Sequence, residues 1–329
     1  MAEYPVDLRF LSKQDVDSLI TYEDVVQAVE QVFLADGLGE LVVPRKEKMV
    51  LDKEGKKVLL PMPGYIKTMD TAGMKWMSFY PDKKEIPAIW GQLLILTDPD
   101  SGLPYAVMDA TTITNMRTAG GHAVVAAKYL ARRDSKVLSV IGCGAQGRSA
   151  IASFDRSFDL ERIIVYDSFP DSLKRCKQEL EDRLRAKLCF ADSIYEAVSQ
   201  ADILVTATTS KTVLVKEEMV PEGCFCAAVY CFNDLDPKLS RGADKWVLGH
   251  GLSDQVQVLD NRNYGPLISG ENVYTTLGKI VAGKKPGRTG DRECIVYTHM
   301  GMGPLDIAVG RTVYEKAVRQ NVGQILHLI

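Results

Sequence analysis

A glycine-rich turn is the feature of this sequence whose residue types and spacing most directly indicate chemistry. In VLSVIGCGAQGRSAIASF, Gly142, Gly144 and Gly147 form the pattern G-x-G-x-x-G, directly after an apolar run and directly before a helical one. In such a turn the first glycine permits a tight bend, the second lets backbone amides approach a pyrophosphate, and the third lets the helix pack close to the strand. Ala145 and Gln146 open the helix, where unpaired amides and the helix dipole favour phosphate groups. The pattern predicts a dinucleotide site, with an ordinary glycine-rich turn as the alternative.

A carboxylate follows where a dinucleotide site needs one. Asp167 closes the next apolar run, RIIVYD, and a carboxylate there can accept hydrogen bonds from the adenosine ribose. It would also repel a 2′-phosphate, which favours NAD over NADP, although Lys174 and Arg175 are close enough in sequence to soften that preference. The alternative for Asp167 is a helix cap before Pro170.

The segments around these residues alternate between strand-like and helical patterns. Short, uniformly apolar strands that alternate with helices indicate a parallel sheet covered on both faces, which here predicts a Rossmann domain of the doubly wound α/β class. The strand candidates are Val137–Ile141, Arg162–Asp167, Ala201–Thr208, Cys224–Tyr230 and Lys245–Leu248. The third candidate ends in the small hydroxyl residues Thr206 and Thr208. We expect these two to line the cofactor, with packing in a strand as the other interpretation.

The residues before this domain have a different pattern. Thr21 and Asp24 resemble a capping box, followed by apolar residues at helical spacing up to Gly37. Residues 41–108 contain short apolar runs broken by Pro, Gly and Asp, which predict a mainly antiparallel sheet with a turn at residues 98–102. A last amphipathic helix begins near residue 303. We therefore expect an α+β domain of residues 1–126, completed by residues 303–329, and a dinucleotide-binding domain of residues 127–302.

Length and composition are those of an ordinary globular protein. The chain has 329 residues, of which 46% are hydrophobic and 25% charged, and its formal net charge is −3. This length favours two domains, each large enough to bury its own core. The nearly balanced charge gives no reason to expect nucleic acid or an anionic membrane surface as a partner.

The seven cysteines indicate a reducing compartment. They are odd in number, irregularly spaced and mostly placed in apolar runs, as expected for buried thiols. The first residues, MAEYPVDLRF, have neither the basic nor the apolar region of a signal peptide, and no stretch has the roughly 20 apolar residues of a membrane span. We expect a cytoplasmic protein.

These motifs lie within a longer stretch that resembles a known family. The segment MRTAGGHAVVAAKYLARRDSKVLSVIGCGAQG, together with ADILVTATTS and VAGKKPGR, is similar to the ornithine cyclodeaminase and mu-crystallin family, and the likeness covers nearly the whole chain. That family also contains alanine dehydrogenases and cyclic imine reductases. The resemblance implies a homodimer, with the first domain for substrate binding and dimerisation and NAD(H) in the second.

The resemblance also implies roles for particular residues. Arg45, Lys75 and Arg117 match three cations that hold a substrate α-carboxylate in the family. The physical reasoning agrees, because a carboxylate removed from water needs charge-assisted donors. Lys75, crowded by two guanidinium groups, should have a lowered pKa suited to proton transfer. Thr118 would help to seat the cofactor pyrophosphate at the start of its helix.

Two segments depart from the family pattern. Where cyclodeaminases carry G-x-D-x-P-G-K-x-E-L-D, this chain reads VYCFNDLDP, and Asp234 is the nearest carboxylate to the position of the missing aspartate near Phe232 or Asn233. Asp236 aligns with the later L-D and is expected to cap a helix. In place of a small residue opposite the nicotinamide the chain has His299, which could exchange protons near neutral pH or be a packed core histidine. The sequence shows no metal-binding spacing.

Three functions remain open at this point. The first is hydride transfer at the Cα–N bond of a small amino or imino acid, by an NAD(H)-dependent dehydrogenase or reductase. The second is cyclodeamination by an ammonia-lyase, in which NAD is used and restored in each cycle. The third is a mu-crystallin-like binding protein that has lost the chemistry.

Overall fold

The computed structural model describes residues 6–80, 92–229, 232–251, 254 and 269–328. They form two compact units, the first within Met1–Arg117 and Met302–Ile329 and the second within Thr118–Gly301. The sequence placed a boundary after residue 126, whereas the division by contacts falls after residue 117.

The described residues contain the following strands and helices. The strands are β1 (Asp7–Leu11), β2 (Leu41–Val42), β3 (Met49–Val50), β4 (Val58–Ile66), β5 (Thr71–Phe79), β6 (Leu93–Thr97), β7 (Pro104–Asp109), β8 (Val137–Ile141), β9 (Arg162–Tyr166), β10 (Lys187–Phe190), β11 (Ile203–Thr206), β12 (Phe225–Ala228), β13 (Lys245–Leu248), β14 (Thr275–Thr276), β15 (Ile295–Thr298) and β16 (Gln324–His327). The helices are α1 (Lys13–Leu19), α2 (Tyr22–Leu38), α3 (Thr111–Arg117), α4 (Ala123–Leu130), α5 (Ala145–Ser157), α6 (Pro170–Leu180), α7 (Ile194–Val198), α8 (Pro237–Gly242), α9 (Leu277–Val281) and α10 (Gly303–Gln320), and a π-helical turn, Thr118–His122, joins α3 to α4. Among these described helices, none is both long and apolar enough to cross a membrane.

The first unit has one sheet with the strand order β16-β1-β7-β6-β5-β4-β2, and β3 also pairs with β4. Strands β4 to β7 are antiparallel neighbours in sequence order, as predicted for residues 41–108. The predicted turn at residues 98–102 is present, and the Asp98 carboxylate accepts a hydrogen bond from the Ser101 amide at 2.7 Å.

Helices cover this sheet and begin where the sequence indicates. Thr21 and Asp24 form the expected capping box at the start of α2, and Gly39 ends the helix in a left-handed conformation. Helix α10 packs on β4, β5 and β6, and α2 packs against α10. This arrangement places the first turn of α10 beside the middle of β5.

The second unit has a parallel sheet with the order β10-β9-β8-β11-β12-β15-β13-β14. From β8 the chain first proceeds through β9 and β10 on one side and then returns to add β11 on the other. The strand order therefore reverses between β8 and β11, which is where dinucleotides bind in doubly wound sheets. The predicted Rossmann fold is confirmed.

The predicted strands agree with the structure to within a few residues. Val137–Ile141 and Lys245–Leu248 are confirmed without change, and the other three candidates were too long. Tyr230, the predicted end of one candidate, lies outside the described residues. Strands β10, β14 and β15 were not predicted. A polar loop, GKKPGRTGDREC, directly precedes β15 and interrupts the regular alternation of strand and helix patterns.

Candidate active site

Two cations and a carboxylate meet in the interior of the first unit. Lys75 Nζ donates to Asp306 Oδ1 at 2.9 Å and to Thr114 Oγ1 at 3.2 Å. Arg117 Nε donates to the same Asp306 oxygen at 3.0 Å, and the Thr114 hydroxyl donates to it at 3.1 Å. All four side chains are buried. We call Lys75, Thr114, Arg117 and Asp306 the cation cluster.

Three elements of the first unit position the cation cluster. Lys75 is at the centre of β5, with the uncharged residues Met62 of β4 and Leu94 of β6 opposite it. Thr114 and Arg117 are three residues apart on α3 and therefore share one face of that helix. Asp306 lies in the first turn of α10, where the positive end of the helix dipole favours a carboxylate.

The burial and the charges of the cluster shift its titration. Burial and the charge of Arg117 lower the pKa of Lys75 to about 7, against the opposing charge and hydrogen bond of Asp306. Burial by itself raises the pKa of Asp306, but the charges of Arg117 and Lys75 and their hydrogen bonds outweigh it, so the pKa lies below its ordinary value. A lysine with a pKa near 7 can accept or donate a proton at neutral pH.

Asp306 is a site residue that the sequence analysis missed. The site expected from the sequence contained three clustered cations and no counter-charge. The available signal was one ionisable residue in the apolar run PLDIAVG, every residue of which is buried. A charged group on an otherwise buried helix segment needs a partner, which predicts a cation beside Asp306.

Arg45 does not have the same environment as Lys75 and Arg117. Its side chain is exposed, in the segment between β2 and β3. The neighbouring Lys46 is half-buried, and its charge contributes to the lowered pKa of Lys75. The structure therefore brings together two of the three predicted carboxylate-binding cations and adds Lys46 as a nearby charge.

The dinucleotide turn in the second unit has the geometry that its glycines predicted. Gly142 has a φ of 91°, in the left-handed region, and directly follows β8. A Cβ on Gly147 would lie 1.9 Å from the Gly142 carbonyl oxygen, so only glycine allows α5 to start this close to the turn. A Cβ on Gly144, in contrast, would meet no described atom within 4 Å, which leaves open space beside the backbone there.

The start of α5 could hold a phosphate group. Gly144 is the N-cap residue, no side chain caps the helix, and Ala145 and Gln146 are its first two residues. The Gln146 side chain accepts a hydrogen bond from the Ala119 amide at 3.2 Å. The first backbone amides of this 13-residue helix and the positive end of its dipole therefore lie next to Gly144.

Asp167 is held against this turn. Its carboxylate accepts one hydrogen bond from the Cys143 amide at 2.8 Å and another from the Phe169 amide at 2.9 Å. The N-cap of α6 is Phe169, so the alternative of a helix cap at Asp167 is wrong. The partly exposed carboxylate lies just after β9, at the carboxyl end of the parallel sheet.

Thr206, Thr208 and Asp234 lie together beside the same turn. Thr206 ends β11 and is buried, and a Cβ on Gly142 would come within 2.9 Å of the Thr208 side chain. Thr208 donates to the Asp234 carboxylate through its hydroxyl at 2.5 Å and its amide at 3.4 Å. Burial raises the pKa of Asp234, with the bonds from Thr208 opposing that effect. Asp234 therefore holds the loop that follows β11.

Asp236, which the sequence predicted to cap a helix, is confirmed as the N-cap of α8.

Thr118 does not open a helix, contrary to the sequence analysis. The helical segment starts at Thr111, whose amide and hydroxyl bond the Asp109 carboxylate, and Thr118 begins the π-helical turn within it. The threonine is buried. Single π-turns inside helices are frequent at functional sites.

His299 belongs to a buried polar cluster of the second unit. Its Nδ1 lies 2.5 Å from the Asp254 carboxylate, and its ring lies edge-on to that of His122 with the centroids 4.8 Å apart. The Tyr297 hydroxyl is 3.3 Å from His122 Nδ1. The Asp254 carboxylate also accepts from the His250 amide at 2.8 Å. His299 directly follows β15, at the carboxyl end of the sheet.

Among the described residues, the cysteines and acidic side chains do not form a metal-binding arrangement. Six cysteines of the described residues are free thiols, and in that part of the chain no group of three or more His, Cys, Asp or Glu side chains could hold a metal ion.

The sequence matches the ornithine cyclodeaminase/mu-crystallin family over residues 7–321. The alanine dehydrogenase of Archaeoglobus fulgidus is 35% identical over 327 residues, which cover 95% of this chain and 96% of that protein. Both the length of the match and its identity exceed what a shared Rossmann domain alone would give.

Solved structures agree over the whole chain. An archaeal alanine dehydrogenase dimer with bound NAD superposes with a TM-score of 0.87 and 32% identity, covering 98% of this chain and 100% of that one. The Δ1-pyrroline-2-carboxylate reductase of Thermococcus litoralis, in complex with NADH and L-proline, also gives 0.87, with 29% identity and coverage of 96% and 99%. This chain therefore belongs to the ornithine cyclodeaminase/mu-crystallin family.

Proposed function

We propose that this protein is an NAD(H)-dependent oxidoreductase that acts on the Cα–N bond of a small amino or imino acid. The observation that carries the proposal is the buried Lys75, bonded to Asp306 beside Arg117, in a chain that also has a complete dinucleotide turn. Similar proteins named alanine dehydrogenase and Δ1-pyrroline-2-carboxylate reductase support the reaction class.

The residues of the second unit fit NAD. The turn at Gly142 and Gly147 leaves room beside Gly144, and the uncapped start of α5 can receive a pyrophosphate through the amides of Ala145 and Gln146. Asp167 would hold the adenosine ribose and disfavour a 2′-phosphate. Thr118, Thr206 and Thr208 are the further candidate contacts. When bound, NAD accepts a hydride from the substrate and NADH returns one.

The cation cluster would hold the substrate carboxylate. Arg117 and Lys75 supply charge-assisted donors in a site from which water is excluded, and Arg45 is a third candidate from the family pattern. Asp306 cancels one of the two buried positive charges. While Lys75 is protonated, a single α-carboxylate then neutralises the remaining one, whereas a neutral substrate would leave it uncompensated.

Lys75 would also move the proton of the reaction. In the oxidative direction the neutral amine of Lys75 takes a proton from the substrate's nitrogen as the Cα–H bond is broken. In the reductive direction the charged Lys75 gives a proton to the imine nitrogen. Asp234 and His299 remain candidates for proton handling in the second unit, and Asp254 would hold the His299 ring.

Simple hydride transfer is favoured over cyclodeamination by one observation. The carboxylate nearest the position of the missing cyclodeaminase aspartate, Asp234, is buried and bonded to Thr208. Both of its oxygens already accept a hydrogen bond from Thr208 and the side chain is buried, so it is a poor replacement for a group that handles a substrate amine.

The assay that tests the function follows two products at once. The purified protein is incubated with NAD+ and a panel of L-amino acids, and with NADH plus cyclic imines or pairs of keto acid and ammonia. A stoichiometric NADH change with one substrate class is expected. Ammonia release without an NADH change would instead establish cyclodeamination, and NADH binding with no turnover in either assay would favour a binding protein.

The same proposal includes a cytoplasmic homodimer. The solved archaeal relative is a dimer, and the free thiols fit a reducing compartment. Light scattering on the purified protein should give twice the chain mass of 36.3 kDa. A single-chain mass at micromolar concentration would contradict the dimer.

A further inference from the structure

Asp306 is the one charged member of the cation cluster for which neither the family pattern nor the sequence supplies a role. It is fully buried, and three donors converge on its Oδ1: Lys75, Thr114 and Arg117, at 2.9, 3.1 and 3.0 Å. Those donors come from β5 and α3, whereas Asp306 is on α10. Its carboxylate therefore bonds to both cations, and it joins three elements of the first unit.

We propose that Asp306 is a positioning residue of the reaction: it fixes the Lys75 ammonium and the Arg117 guanidinium in one geometry and supplies the buried counter-charge that keeps Lys75 able to hold a proton. This inference rests on the proposed function, in which Lys75 transfers the proton and Arg117 binds the carboxylate.

The charges around Lys75 determine in which direction its pKa would change without Asp306. The charged groups acting on Lys75 are Asp306 from α10, Arg117 from α3 and Lys46 from the segment between β2 and β3. Only the first favours the protonated form, while burial and both cations oppose it. The residues opposite Lys75 on β4 and β6 are uncharged. If Asp306 lost its charge, Lys75 would give up its proton at a lower pH.

The test compares Asp306→Asn, which keeps the size of the side chain and removes its charge, with Asp306→Glu, which keeps the charge. The control is Asp155→Asn, the same change at another buried carboxylate, which in the second unit bonds the Arg185 and Ala186 amides. The measured quantity is kcat/KM as a function of pH, whose midpoint near pH 7 is assigned to Lys75. Asp306→Asn is expected to move this midpoint to lower pH by at least about half a unit. It should also raise KM, because Arg117 loses its anchor. Asp306→Glu should recover part of the shift, and Asp155→Asn should leave the limb in place.

A second measurement does not depend on turnover. With 13C-labelled lysine, the Cε resonance of Lys75, assigned by its loss in Lys75→Met, reports the titration directly. A lower midpoint in Asp306→Asn supports the inference even if no substrate is turned over, in which case the proposed function alone fails. An unchanged midpoint overturns the inference whatever the activity.

The variant Asp306→Asn leaves two buried cations without a counter-charge and so risks unfolding. In that event the double variant Lys75→Met/Asp306→Asn removes one cation together with the carboxylate. It is expected to regain a cooperative thermal transition and NADH binding. If the double variant is as unfolded as the single one, Asp306 serves only packing and the inference is wrong.

Discussion

At the scale of single residues, the proposed chemistry depends on one proton at Lys75. The side chain is fully buried, yet its amine is bonded to a carboxylate and a hydroxyl and is not alone in an apolar core. A buried lysine without such partners would titrate far lower still. The balance between burial, Arg117 and Asp306 leaves its pKa at about 7.

Replacing Lys75 by Met should abolish most of the activity with little effect on the cofactor. Met has a similar length but cannot transfer a proton, so we expect kcat to fall by about 10²- to 10⁴-fold. NADH affinity, measured by fluorescence, should stay within about twofold. The exposed Lys67→Met is the matched control and should be fully active. Near-normal kcat in Lys75→Met would exclude Lys75 as the proton-transfer group.

The pH dependence should have opposite signs in the two directions. Oxidation needs neutral Lys75, so its rate should rise as the pH increases through about 7. Reduction needs the protonated form, so its rate should fall over the same range. Initial rates in both directions, measured in one buffer series, test this. Two profiles of the same sign, or limbs near the ordinary lysine pKa, would contradict the assignment.

At the scale of elements, the two glycines at the start of α5 differ in why a glycine is needed. Gly147 is needed for packing, because a Cβ there would collide with the Gly142 carbonyl, while Gly144 has open space beside it. The fold alone therefore requires only one of these two glycines. A requirement for the other would come from a ligand.

Alanine at each position distinguishes these demands. Gly147→Ala should lower the free energy of unfolding by at least about 2 kcal/mol, because the backbone must shift. Gly144→Ala should leave the melting temperature nearly unchanged but weaken NADH binding at least about tenfold, because a methyl group would occupy the place of the pyrophosphate. Melting curves and NADH titrations on the same samples decide the matter. Full NADH affinity in Gly144→Ala would mean that the cofactor does not approach the turn there.

At the scale of the whole molecule, the two candidate sites belong to different compact units. The cation cluster lies in the first and the dinucleotide turn in the second. The proposed substrate residues and the proposed cofactor residues can then change separately. This division agrees with a family in which proteins named for different amino and imino acids share one fold.

This separation predicts independent effects in the unbound protein. Gly144→Ala should leave the pKa of Lys75 the same as in the unchanged protein. Lys75→Met should leave the NADH dissociation constant unchanged. In the double variant Gly144→Ala/Lys75→Met, the losses in the free energy of unfolding should add to within about 0.5 kcal/mol. A large coupling between the two changes, seen in thermal unfolding without ligands, would show that the units do not respond separately.

The sequence by itself determined those parts of the protein that depend on local spacing. The glycine turn, the strands on both sides of it and the capping box at Thr21 are set by backbone sterics and hydrogen bonds between near neighbours, so the order of residues is enough to predict them. The family pattern likewise indicates Lys75 and Arg117, but not that both bond to Asp306.

Only the tertiary structure decided which distant side chains meet. Lys75 and Asp306 are separated by 231 positions, and no local periodicity relates β5 to the first turn of α10. The same holds for His299 with Asp254 and for Thr208 with Asp234. Whether a charged residue is solvated, as Arg45 is, or buried with a counter-charge depends on the packing of elements distant in sequence. That packing, and with it the pKa of Lys75, is a property of the folded chain.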